Sequence, residues 1–279
     1  MPPLRASRDT LSTMQRDATA HIALAVTEPA ELVFSIAAAR PGGGFERERL
    51  DISVDGTPVP VIEVADHHGT RLHVVESPAG ELVLDYAVSV AGREGAASVD
   101  PVDHIRYTRP SRYAESDMLA PTAAAEFAGI DTPAALLAAV SSWVGTHLSY
   151  VPGSSLPTDG AVRTLLARQG VCRDYAHVCV GLLRALGVPA RLVSVYAPGL
   201  SPMDFHAVAE ALVDGVWRVV DATALAPRDT LLRVATGRDA ADTAFLTVLS
   251  GRADLVAVEV TATADALPGD DVTRLVSLG

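Results

Sequence analysis

The sequence predicts an α+β protein in two parts, a small β-sandwich-like domain over residues 1–108 and a mixed helix-and-strand domain over 109–279. Three observations carry this. The first hundred residues are short alternating apolar runs separated by turn signals, the pattern of half-buried strands. Residues 132–186 switch to helical periodicity, and a strand pair then flanks Asp214-Gly215, the strongest short-range hairpin signal.

In chain order, residues 22–26, 31–36, 50–54, 59–64, 72–75 and 81–90 read as strands. Turns at Pro41-Gly42-Gly43-Gly44, Asp55-Gly56, His68-Gly69 and Pro78-Ala79-Gly80 give the spacing of a small sandwich. From Asp100 the texture changes, and Pro101, Pro110 and Pro121 punctuate a polar segment that reads as a packed linker. Thr132-Pro133 opens a helix, with threonine as cap and proline at the first helical position. Leu136, Leu137, Val140, Trp143, Val144, His147 and Leu148 follow at helical spacing. A shorter helix over 161–168 is broken by Gln169-Gly170, and a third over 172–186 ends at Gly187. Strands are expected over 190–196, 206–213 and 216–221, helix or loop over 237–249, and a last strand over 255–260.

Composition excludes several function classes. The 279 residues are 49% hydrophobic and 20% charged, enough for a sizeable core without staples. A net charge of −12 with no basic block argues against a nucleic-acid surface, which needs clustered Lys and Arg. All 22 basic residues are arginine, which removes Schiff-base chemistry and any Walker-type phosphate loop, since both need a lysine amine. The longest apolar stretches, 18–26 and 36–39, fall short of the ~20 residues that span a bilayer. Met1-Pro2-Pro3-Leu4-Arg5 opens no apolar leader region, so a cytoplasmic location is expected, and two lone cysteines agree with a reducing compartment.

Cys172 and Cys179 sit seven apart on one predicted helix. Their backbones are then ~10 Å apart, beyond the ~7 Å reach of a disulfide. No second ligand pair stands at zinc-knuckle spacing, so neither metal nor cofactor is expected. Cys172 opens the helix, where unpaired N–H groups and the positive dipole end favour thiolate. Cys179 lies on the apolar stripe and reads as core.

A thiolate needs a base, and hairpin arithmetic selects one of the eight histidines. If Asp214 and Gly215 form the loop, Val213 pairs with Val216, Val208 with Asp221, and His206 with Thr223. Paired residues share a face, as do residues two apart on a strand, so His206 and Asp221 are diagonal neighbours. The aspartate can then orient the imidazole while its other nitrogen faces a thiol, as in a catalytic triad.

Four segments together resemble the bacterial branch of the transglutaminase-like superfamily, papain-related enzymes often assigned as cysteine proteases. They are Gly170-Val171-Cys172-Arg173-Asp174-Tyr175-Ala176-His177, Leu186-Gly187-Val188-Pro189-Ala190-Arg191, His206-Ala207-Val208-Ala209-Glu210 and Trp217-Arg218-Val219-Val220-Asp221-Ala222-Thr223. The resemblance spans roughly residues 109–249, and the β-rich N-terminus is similar to the domain preceding the core in that branch. It implies a papain/transglutaminase-like core, with Cys172 on a helix N-terminus packed against an antiparallel sheet that carries His206 and Asp221. It further implies acyl transfer from a glutamine side chain or peptide amide through a thioester. The oxyanion would be held by the Cys172 N–H and one further donor. Gln169 and Trp217 are candidates for that donor or for the cleft.

Blander readings apply elsewhere. His177 is off the Cys172 face and reads as structural, His147 and Trp143 as core, and His67, His68 and His73 as loop surface. Asp174 is the acid expected in a first helical turn, in reach of Arg173 or Arg191. Residues 237–242 resemble a family segment after the catalytic aspartate and read equally as shaping the cleft or as a salt-bridged loop. A cysteine hydrolase acting on a peptide or protein is the leading expectation. A glutamine–amine transferase with the same triad comes second, and a non-catalytic binding module third. Without lysine, the chain cannot crosslink to itself through a lysine amine. Sheet edges would allow a homo-oligomer, but nothing in the composition calls for one.

Overall fold

A computed structural model describes residues 14–40, 45–93 and 95–279. The expected turn at Pro41-Gly42-Gly43-Gly44 and the opening five residues lie outside the described residues. The expected strands 22–26 and 31–36 are one continuous strand, β1 (Gln15–Phe34). Along it Ala18, Ala20, Ile22, Leu24 and Val26 are buried on one face, and Ala23 of the other face is buried as well. It is the hub of a seven-stranded sheet. With it run β2 (Arg47–Val54), β3 (Thr57–Pro58), β4 (Ile62–Ala65), β5 (Arg71–Ser77) and β6 (Gly80–Ala91). The first half of β1 pairs with β6 and its last residues with β5.

Between this sheet and the helices lies a short α1 (Asp103–Arg106), followed by α2 (Ser116–Glu126). Residues 116–126 correct the linker expected there. Pro121 sits inside α2, and burial of Leu119 and Ala123 in the helical core outweighs its helix-breaking tendency. Helix α3 (Pro133–His147) begins as expected, the Thr132 hydroxyl accepting the Ala135 N–H at 3.3 Å. A two-residue strand β7 (Ser149–Tyr150), helix α4 (Ala161–Ala167) and strand β8 (Gln169–Gly170) lead into α5 (Cys172–Ala185).

The second sheet is antiparallel, in the order β11 (Val216–Val220), β10 (His206–Val213), β9 (Ala190–Tyr196), β12 (Leu232–Gly237). Ala190, Ala209, Ala211 and Val213 form one core with Val178, Cys179, Leu182 and Leu183 of α5, so small side chains let the helix lie close on the sheet. Tyr196, Leu232 and Val234 belong instead to the core of the seven-stranded sheet, which ties the two sheets together.

A buried charge cluster pins the second sheet. Glu210 on β10 accepts from Arg191 on β9 at 2.8 Å and from Arg233 on β12 at 2.7 and 3.0 Å. Burial would raise its pKa, but the two guanidinium groups outweigh it and hold the carboxyl at about 2. The expected helix or loop over 237–249 is also corrected. Strand β13 (Leu246–Ala264) covers its last residues and pairs along the length of β1. A strand from beyond residue 109 thus completes the first sheet.

Candidate active site

The first turn of α5 is built around Gly170 and Asp174. The Asp174 carboxylate reaches back to accept the Val171 N–H at 2.8 Å. A Cβ on Gly170 would lie 2.7 Å from the Asp174 side chain, so the position admits only glycine. Asp174 is fully buried and also meets Arg173 at 3.4 Å, whereas Arg191 pairs with Glu210. Cys172 follows as the first helical residue, with its side chain partly exposed. That places its side chain at the end of the helix toward which the first-turn N–H groups point.

The hairpin register runs as the sequence predicts, from Val213↔Val216 to Ala209↔Val220. His206 begins β10 and Asp221 follows the last residue of β11. The His206 Nε2 lies 3.0 Å from the Asp221 Oδ2. The other carboxylate oxygen accepts from the Thr223 N–H at 2.9 Å and its hydroxyl at 2.7 Å. Ser141 donates to the Asp221 carbonyl at 3.1 Å. His206 and Asp221 are 2% and 4% exposed, so this pair works at low dielectric, where its attraction is strong.

The remaining imidazole nitrogen, Nδ1, is buried without a formal hydrogen bond among the described residues. The Cys172 side chain is within interaction reach of the ring. Burial alone would lower the His206 pKa, but Asp221, and then Cys172, outweigh it and raise it to about 10. Burial likewise opposes ionisation of Asp221, yet His206 and Thr223 hold its pKa below the usual value. The three residues singled out from sequence are therefore neighbours. Burial pushes the Cys179 thiol well above its ordinary range, as befits core.

Two residues escaped the sequence reading. Thr223 carries a local signal, the Asp-x-Thr spacing of a side-chain turn. Tyr150 has no local signal. It reaches the site because β7 and β8 pair in parallel, Tyr150 opposite Gly170, with the Val151 N–H bonded to the Gly170 carbonyl at 3.0 Å. Its hydroxyl lies close enough to the Cys172 backbone N–H and side chain for both to act on it.

Other expected positions fall elsewhere. Gln169 is exposed on β8, with no side-chain hydrogen bond among the described residues. Trp217 is not at the cleft. It is fully buried, with the Arg191 guanidinium 3.7 Å from its ring centroid and Tyr107 edge-on at 5.5 Å. His177 is buried and accepts the Ala240 N–H at 3.1 Å, a structural bond that anchors the 237–242 segment. His147 is exposed rather than core, stacked on the half-buried Trp143 at 4.1 Å. His68 and His73 are not loop surface, since their side chains are nearly buried against Asp103 and Glu63. No helix among the described residues is long and apolar enough to cross a membrane.

Comparison with known proteins agrees with this architecture. The family model of the transglutaminase-like superfamily matches residues 121–222, which include Cys172, His206 and Asp221. The crystal structure of a candidate cysteine protease from Cytophaga hutchinsonii superposes with a TM-score of 0.86 at 30% identity, covering 96% of this chain and 98% of that one. An uncharacterized protein of Mycobacterium leprae is 28% identical over 184 residues, which are 60% of this chain and 64% of that protein. The chain belongs to the transglutaminase-like superfamily.

Proposed function

We propose that the chain is a cysteine-dependent acyl-transfer enzyme that hydrolyses a peptide or amide bond in a peptide or protein substrate. Cys172 is the nucleophile, His206 the base and then the acid, and Asp221 the group that orients and charges the imidazole. The observation that carries this reading is the 3.0 Å bond from the His206 Nε2 to Asp221, which leaves the opposite ring nitrogen to the thiol. His206 takes the Cys172 proton, and the sulfur forms a C–S bond to the carbonyl carbon. The tetrahedral intermediate collapses as the C–N bond breaks, and the amine leaves with the His206 proton. Water, deprotonated by the same imidazole, then attacks the thioester and releases the acid and the thiolate.

The test is iodoacetamide labelling near neutral pH, read by mass spectrometry. Cys172 should react far faster than a free thiol and Cys179 hardly at all. If Cys172 reacts no faster than a free thiol, and Cys172→Ala keeps any measured activity, the enzyme reading fails. Incubation with a glutamine-containing peptide, with and without a primary amine, tests the hydrolytic outcome. Ammonia or peptide release without amine incorporation is expected, and amine incorporation in its place would assign a transferase with the same triad.

A further inference from the structure

We infer that the Tyr150 hydroxyl is the second oxyanion donor, acting beside the backbone N–H of Cys172. This rests on the acyl-transfer reading above and adds a residue to it. Tyr150 is held in place from both sides. The Ser149 N–H bonds the Arg168 carbonyl at 2.9 Å and the Val151 N–H the Gly170 carbonyl at 3.0 Å, which fixes its backbone beside the strand that runs into Cys172. Its ring lies against Tyr175, centroids 5.9 Å apart, and the Tyr175 hydroxyl is itself tied to the Leu148 carbonyl at 2.8 Å. The backbone of β7 thereby holds Tyr150 beside the strand that leads into the first turn of α5.

At that turn the hydroxyl has both the N–H and the side chain of Cys172 within reach. A carbonyl oxygen whose carbon is bonded to the Cys172 sulfur would need that same place. The phenol therefore marks the oxyanion position and is the side-chain donor next to it, whereas Gln169 is exposed and Trp217 is buried against Arg191. Burial, and then the adjacent Cys172, push the Tyr150 pKa up to about 12, so the hydroxyl keeps its proton and can donate across the neutral range. With 40% of its surface exposed, the side chain has room to withdraw by about one hydrogen-bond length as the substrate oxygen takes the N–H.

The step balances without proton transfer from tyrosine. As the C–S bond forms, the carbonyl π pair moves onto oxygen. The resulting oxyanion accepts from the Cys172 N–H and the Tyr150 O–H, and on collapse the pair returns as the C–N bond breaks. Such a donor stabilises an oxyanion and does nothing for displacement at a saturated carbon.

That difference gives the experiment. Wild type, Tyr150→Phe and Cys172→Ala would be compared for acylation by p-nitrophenyl acetate, which passes through an oxyanion, and for alkylation by iodoacetamide, which does not. Tyr150→Phe should lose ~10²–10³-fold in acylation. It should alkylate within ~3-fold of wild type, an effect too small for a lost transition-state donor. Protection of Cys179 from label reports that the variant is folded. Acylation within ~3-fold of wild type overturns the assignment, and so does a parallel loss of both reactions, which would place Tyr150 in thiol activation. If wild-type Cys172 alkylates no faster than a free thiol, the active-site reading itself fails, and this assignment with it.

Discussion

Replacing Asp221 by Asn removes a charge at nearly constant volume, and the consequence can be worked from the geometry. The asparagine oxygen can keep the two Thr223 bonds of 2.7 and 2.9 Å, which turns its NH₂ group toward the His206 Nε2. That nitrogen must then accept, so the ring proton moves to Nδ1 and points at Cys172, the wrong tautomer for a base. The charge change acts in the same direction. Asp221 is the foremost group lifting the His206 pKa from 6.5 to about 10 against burial, and that rise corresponds to ~5 kcal/mol in favour of the imidazolium. Most of it disappears with the carboxylate, so the share of thiolate–imidazolium pair, and the iodoacetamide rate at pH 7, should fall ~10²–10³-fold. Cys179, fully buried, supplies an internal control, since it is labelled only when the fold opens. A folded Asp221→Asn protein, with Cys179 protected and Cys172 alkylated within ~3-fold of wild type, would refute the reasoning.

Three further outcomes are expected. Cys172→Ala should lower the His206 pKa from about 10, because the cysteine adds to the groups that raise it; an unchanged NMR titration of that ring would contradict the proposed contact. The raised His206 contributes stability in full below its unfolded value of ~6.5 and loses it as pH rises through about 10, while the lowered Asp221 contributes above ~3.9. The margin of wild type over His206→Gln in denaturant melts should therefore be widest between ~pH 4 and 6.5 and shrink toward pH 10, and a margin that grows with alkalinity would invert the assignment. Glu210→Gln leaves two guanidinium groups without their shared counter-charge, so the loss of unfolding free energy should reach ~3–5 kcal/mol; a value under ~1 kcal/mol in urea titrations would show that Arg191 and Arg233 find other partners.

Local chemistry made much of the site legible. The Thr132-Pro133 start, the Asp214-Gly215 turn and the bounds of β9 and β10 are read from residues that act within a few positions of themselves. The His206–Asp221 geometry followed from strand pairing counted outward from the hairpin, because the register from Val213↔Val216 to Ala209↔Val220 holds without a bulge. The exposed residues 247–252 show no alternation that would mark a strand. Their strand forms because β1 offers them a partner more than two hundred residues away. Helix α2 was hidden by Pro121, whose local cost is met by a helical core that a short window cannot see.

The sequence by itself determined the cysteine at a helix start, the histidine–aspartate pair and the family, since each is encoded in short segments with fixed spacing. Only the tertiary structure decided what surrounds them. Trp217 turns from a cleft candidate into buried support for Arg191, His68 and His73 leave the surface for polar clusters, and Tyr150 arrives beside Cys172 through a two-residue parallel bridge. The physical reason is that a side chain's neighbours across a sheet or between sheets depend on long-range pairing. That pairing is fixed by burial over the whole chain, not by the preferences of the residues on either side.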